Sequence, residues 1–143
     1  MSGKTKIEWA EKVWNPVTGC TKVSEGCRNC YAERMSKRLA GRAGYPEDGF
    51  KVTPHQDKLG EPFHWRKPSR VFVCSMGDLF HKDVPDTFIA AVFSVMAQAS
   101  QHTFLVLTKC PERLHSILMN WCAAGLTLRS GYGPVLPNVW LGV

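Results

Sequence analysis

Short apolar runs alternate along this chain with longer stretches that are apolar at every third or fourth position. Four apolar runs predict strands, at residues 13–17, 70–74, 103–107 and 139–143. Helical spacing of the apolar residues predicts three helices, at residues 31–39, 85–99 and 111–125. Strands that alternate with helices are typical of α/β proteins with a parallel sheet. The hydrophobic pattern therefore predicts an α/β fold.

Residues 41–68 interrupt this alternation with a long segment that is rich in proline and glycine. Such a long irregular segment is uncommon in a compact domain unless it covers a site. Two interpretations stay open. The segment is either a lid or partner surface, or an ordered wrap over the hydrophobic exterior that is anchored by Phe50, Phe63 and Trp65.

Three cysteines fall within eleven residues, at Cys20, Cys27 and Cys30. The C-x-x-C spacing of the last two lets their thiolates converge on one metal centre, and Cys20 reaches it across a loop of six residues. A closed zinc site normally has four protein ligands, whereas a [4Fe-4S] cluster held by three leaves one iron open. We therefore expect an iron–sulfur cluster in this cysteine loop (residues 20–30).

Two other interpretations of the cysteine loop stay open. One is a zinc site with a distant fourth ligand, for which the candidates are Cys74, His55, His64 and His81. The other is a disulfide with a spare thiol. The polar first eleven residues contain no apolar stretch typical of a secretory signal, so we expect reduced thiols and a cytoplasmic location.

Polar residues follow two of the predicted strands at the point where each strand ends. Parallel α/β folds bind ligands beyond the carboxyl ends of their strands. Ser75, Gly77 and Asp78 follow the second strand, and Lys109 follows the third, so we expect these residues to contact a ligand. The simpler interpretation is that Asp78 caps the next helix and that Lys109 pairs with an acidic neighbour such as Glu112.

The composition limits the size of the domain, and the net charge indicates the kind of partner that it suits. The 143 residues are 44% apolar, which suits one compact domain, and no run is long enough to span a membrane. The net charge is +6, with basic residues grouped at 37–42 and 66–70. This charge suits a nucleic-acid or nucleotide substrate, although basic groups of this kind are also typical of ordinary solvated surfaces.

The motifs together resemble those of the "three-Cys-motif" proteins of phages and bacteria, a family regarded as radical S-adenosylmethionine (SAM)-like. The resemblance extends over nearly the whole chain, through residues 7–9, 14–20, 27–32, 73–80, 85–86, 102–109, 111–114 and 138–142. The usual radical SAM loop is C-x-x-x-C-x-x-C. Here the first gap has six residues, and the aromatic Tyr31 follows the last cysteine instead of preceding it.

The resemblance implies a partial (β/α) barrel with about three βα units and a fourth strand, as a single N-terminal half-barrel domain over residues 1–143. It implies that Cys20, Cys27 and Cys30 hold a [4Fe-4S] cluster whose open iron binds SAM. The cofactor contacts would come from Tyr31, Ser75, Gly77, Asp78 and Lys109.

Reductive cleavage of SAM would then start radical chemistry on an unknown substrate. That reaction requires an electron donor, and the incomplete barrel implies a partner protein or a missing C-terminal half. The competing expectations are a non-catalytic zinc-binding module for nucleic acid or protein, and an inactive truncated fragment.

Overall fold

The computed structural model describes residues 5–42, 45–125 and 136–143. The strands in these residues are β1 (Lys12–Trp14), β2 (Val17–Thr18), β3 (Thr53–Pro54), β4 (Arg70–Val73), β5 (Thr103–Leu107) and β6 (Val139–Gly142). The helices are α1 (Tyr31–Leu39), α2 (Asp86–Gln98) and α3 (Pro111–Ala123). None of the helices in the described residues is long and apolar enough to cross a membrane.

Four of the strands form one parallel sheet in the order β1, β4, β5, β6. Helices α1, α2 and α3 lie in the chain between successive strands of this sheet. Each helical connection therefore places the next strand beside the previous one, always on the same side of the sheet. The predicted α/β class with a parallel sheet is confirmed.

The two faces of this sheet differ in what covers them. Alternate strand residues on one face are buried with apolar residues of α2 and α3; they are Val71, Val73, Phe104 and Val106. We call the other side the open face. It holds Phe72, Leu105, Leu107 and Trp140, of which Leu107 is 48% and Trp140 67% exposed. Parallel sheets are usually covered on both faces, so the open face is unusual in its exposure.

The prediction of a single strand over residues 13–17 was wrong. Asn15 and Pro16 separate β1 from β2, and β2 pairs with β3 in a second, antiparallel sheet. The side-chain oxygen of Asn15 accepts a hydrogen bond from the Met76 amide at 3.1 Å, which draws this residue away from the parallel ladder. Pro16 has no amide hydrogen to donate to a ladder.

Residues 45–68 form an ordered wrap over the core, in agreement with the second interpretation of this segment. The Trp14 indole donates to the Lys58 carbonyl at 2.8 Å, and the His55 amide donates to the Pro16 carbonyl at 2.8 Å. Trp65 packs against the core as expected, whereas the expected anchor Phe63 is 49% exposed. Residues 43 and 44 of the segment lie outside the described residues.

Gly19 joins the start of the cysteine loop to the parallel sheet. It forms a bridge with Gly77, its amide donates to the Met76 carbonyl at 2.9 Å, and its φ is +86°. A β-carbon at this position would lie 2.2 Å from the Lys51 carbonyl oxygen. Both the backbone conformation and the close approach therefore require glycine.

We expect Gly19→Ala to lower the free energy of unfolding by about 3 kcal/mol, because it adds a backbone clash to an unfavourable φ. Gly60→Ala is the matched control, since φ is −81° there and no atom lies within 4 Å of the added carbon. Urea denaturation of both variants measures the difference. Equal stability of the two variants would contradict the close packing at Gly19.

Candidate cysteine-lined site

A cavity of about 310 Å³ lies at the carboxyl edge of the parallel sheet. All three residues of the cysteine motif line it, together with a fourth cysteine; these residues are Cys20, Cys27, Cys30 and Cys74. We call it the cysteine cavity. It also contains all four residues predicted from the strand ends, which are Ser75, Gly77, Asp78 and Lys109. The structure thus brings two separately predicted groups of residues to one place.

Tyr31 is the predicted site residue that does not line the cysteine cavity. It is the first residue of α1, and 62% of it is exposed to solvent. Residues that the sequence reasoning did not single out as contacts complete the cavity wall. They include Phe50 from the wrap, Phe72 and Leu107 from the open face, and Thr108 beside Lys109.

Local structure fixes each motif cysteine differently. The Cys20 amide donates to the Phe50 carbonyl at 3.3 Å, which attaches the start of the loop to the wrap. Cys27 ends a short 3-10 helix, Glu25–Cys27, and is buried. Cys30 is the N-cap residue of α1, as expected from the helix that follows it. Most other residues of the loop are exposed.

Cys27 is the motif cysteine whose surroundings favour the thiolate. Hydrogen bonds from the Val23 amide, the Ser24 hydroxyl and the Ser24 amide, with a smaller contribution from Lys109, lower the pKa of Cys27 to about 6. The Lys109 ammonium donates to the Cys27 sulfur at 3.3 Å. Because metals bind the thiolate form of cysteine, Cys27 is ready to act as a ligand at neutral pH.

Cys20 and Cys74 are neutral thiols in the absence of a metal. Burial, and next the charge of Asp78, raise the pKa of Cys20 to about 11. Burial raises the pKa of Cys74 to about 12. Cys74 also has φ +58°, which is rare for a residue with a side chain and which ends β4 one residue before the predicted boundary.

Asp78 connects the ends of β4 and β5 through a buried carboxylate that is 4% exposed. One carboxylate oxygen accepts from the Phe80 amide at 2.9 Å and from the Thr108 hydroxyl at 2.7 Å. The other accepts from the Lys109 amide at 2.8 Å. The carboxylate therefore orients Lys109, and its expected contact with a cofactor stays a prediction.

The four candidates for a fourth zinc ligand lie in different surroundings, and only one of them lines the cysteine cavity. The His55 ring hydrogen-bonds to the Thr18 hydroxyl at 2.8 Å, and the His81 ring hydrogen-bonds to the Thr21 hydroxyl. His64 lines a different cavity, which also includes Lys12 and Arg66. Among these candidates, Cys74 alone lines the cysteine cavity.

The donor set of the cysteine cavity fits a thiolate-bound metal centre. All six cysteines are free, so no disulfide competes for them. Within residues 5–42, 45–125 and 136–143, no three His, Cys, Asp or Glu side chains are grouped closely enough to hold one metal ion. The cavity therefore offers the type of donor that such a centre uses, without a grouped set of ligands.

We expect Asp78→Ala to lower the free energy of unfolding by about 3 kcal/mol, because it leaves the Thr108 hydroxyl and two amides without their acceptor. Asp48→Asn is the control, since Asp48 is an exposed carboxylate on the wrap, and its effect should stay within about 0.5 kcal/mol. Chemical denaturation measures both. A loss for Asp78→Ala no larger than for the control would show that the carboxylate does not hold this edge.

Comparison with known proteins identifies a family for this chain but does not indicate an activity. No curated protein and no solved structure shows a significant match to the chain. The family described as "Protein of unknown function (DUF5131)" matches residues 4–143, and its description names no substrate or cofactor. Because this match spans nearly the whole chain, the protein belongs to the DUF5131 family.

Proposed function

We propose that this protein is a radical SAM-like iron–sulfur protein in which Cys20, Cys27 and Cys30 hold a [4Fe-4S] cluster. One observation supports this most strongly. The three cysteines line a single cavity at the carboxyl edge of a parallel sheet, where α/β proteins bind their ligands. Three thiolate ligands leave one iron open, and that iron would bind SAM.

The architecture supports a partial (β/α) barrel as part of the same proposal. The strands join the sheet in chain order, with a helix between each pair, as they do in a (β/α) barrel. The apolar open face corresponds to the inside of such a barrel. Strand β6 has a neighbour on one side within the described residues, so strands from a partner protein would extend the sheet there.

Bound SAM and the cluster would supply reductive cleavage of the sulfonium, with the electron from an external donor. The chain's own residues have separate tasks. Cys27 offers a preformed thiolate, and Asp78 fixes the backbone of Lys109 beside it. Phe50, Phe72 and Leu107 give the cavity an apolar wall. A nucleic-acid or nucleotide substrate would suit the net charge of +6.

The second candidate is a zinc-binding module that interacts with nucleic acid or protein and has no catalytic role. It is supported by Cys74, which lines the cysteine cavity with the three motif cysteines and so offers a fourth sulfur. The raised pKa does not separate the candidates, because Cys20 in the first and Cys74 in the second would each have to lose a proton on binding metal. Four sulfur ligands would leave no open position for SAM.

Metal and sulfide analysis after anaerobic reconstitution separates the two candidates. The proposal predicts about four irons and four sulfides per chain. Alanine at position 20, 27 or 30 should abolish iron binding, whereas Cys74→Ala should retain it. Cys122→Ala is the matched control, because this exposed cysteine lies on α3 outside the cysteine cavity.

Other results would contradict the proposal in distinct ways. One zinc per chain that is lost in Cys74→Ala as well as in the motif variants would establish the zinc module. A folded chain that takes up neither iron nor zinc would contradict both candidates and agree with an inactive fragment.

A further inference from the structure

Lys109 has an unusual partner for a lysine at the end of a strand. Its ammonium lies 3.3 Å from the Cys27 sulfur, although 82 positions separate the two residues in sequence. No carboxylate in the described part of the chain forms an ion pair with Lys109, and the expected partner Glu112 is not paired with it. The sulfur is therefore the acceptor that this ammonium contacts.

The position of Lys109 is fixed from both ends. Its amide donates to Asp78, and the same carboxylate accepts from the hydroxyl of the neighbouring Thr108. At the other end, its ammonium donates to the Cys27 sulfur at 3.3 Å. A β-carbon on Gly26 would lie 3.7 Å from the ammonium, an ordinary contact distance, so Gly26 borders the lysine without crowding it.

We propose that Lys109 is a positioning residue of the cysteine site, which holds the sulfur of Cys27 at the cavity wall and raises the reduction potential of the metal centre bound there. The effect on potential rests on the proposed function, while the contact with Cys27 does not. A positive charge and a hydrogen bond at a ligating sulfur favour the reduced state, which has one more negative charge.

The contact is tested on metal-free protein with o-phthalaldehyde, which joins an adjacent amine and thiol in a fluorescent isoindole. Peptide mass spectrometry should find an isoindole that links Lys109 to Cys27. Lys82→Met is the control and should keep this product, because Lys82 is exposed and does not line the cysteine cavity. Absence of the product from folded wild-type protein would overturn the assignment.

The effect on potential is tested by redox titration of the reconstituted protein. Lys109→Met should shift the midpoint potential to a more negative value, Lys109→Arg should restore most of the shift, and Lys82→Met should leave the potential unchanged. The arginine variant separates a role of the charge from a general loss of structure, since it keeps a cationic donor. Equal potentials in wild type and Lys109→Met would overturn the assignment.

The experiments distinguish failure of the proposed iron–sulfur function from failure of the role assigned to Lys109. A chain that binds no iron contradicts the proposed function, and the isoindole then decides the assignment of Lys109 alone. A chain that binds iron with unchanged potential in Lys109→Met leaves the proposed function in place and removes the lysine from it.

Discussion

A buried carboxylate organises the edge of the sheet that holds the cysteine cavity. Asp78 follows β4, yet its hydrogen bonds end on Thr108 and Lys109, which follow β5. Lys109 in turn contacts Cys27 in the cysteine loop. Three segments that are distant in sequence are therefore connected through the side chains of Asp78 and Lys109. Burial strengthens such a network, because the polar groups inside it have no water to replace a lost partner.

Close backbone approach provides the second connection. Gly19 and Gly77 bridge the cysteine loop to the segment after β4, and the Lys51 carbonyl lies against Gly19. The wrap is thus part of the site, since it holds the start of the loop and adds Phe50 to the cavity wall. Its packed side chains explain why such a long irregular segment is ordered at all.

The sequence allowed much of this arrangement to be predicted, for identifiable reasons. Helix α1 and strand β5 begin and end at the predicted residues, because their apolar spacing is regular and glycine or polar residues flank them. The rule that ligands bind at strand ends found Asp78 and Lys109. It did not find Phe50, because contacts between the wrap and the loop are long-range and leave no local pattern in the sequence.

The errors also have physical causes. The strand predicted at 13–17 failed because apolar residues lie on both sides of Asn15 and Pro16, whereas the strand ladder does not continue through these two residues. The partner of Lys109 was sought nearby in sequence, at Glu112, and lies instead across the cavity. Sequence spacing does not reveal that the Asp78 carboxylate turns Lys109 toward the cysteine loop.

The central claim is a metal centre with three thiolate ligands and one open position. Electron paramagnetic resonance of the reconstituted and reduced protein, recorded before and after addition of SAM, tests it most directly. The account predicts an iron–sulfur signal that changes shape when SAM binds the open iron. An iron–sulfur signal that is unaffected by SAM, or a reduced protein without such a signal, would contradict it.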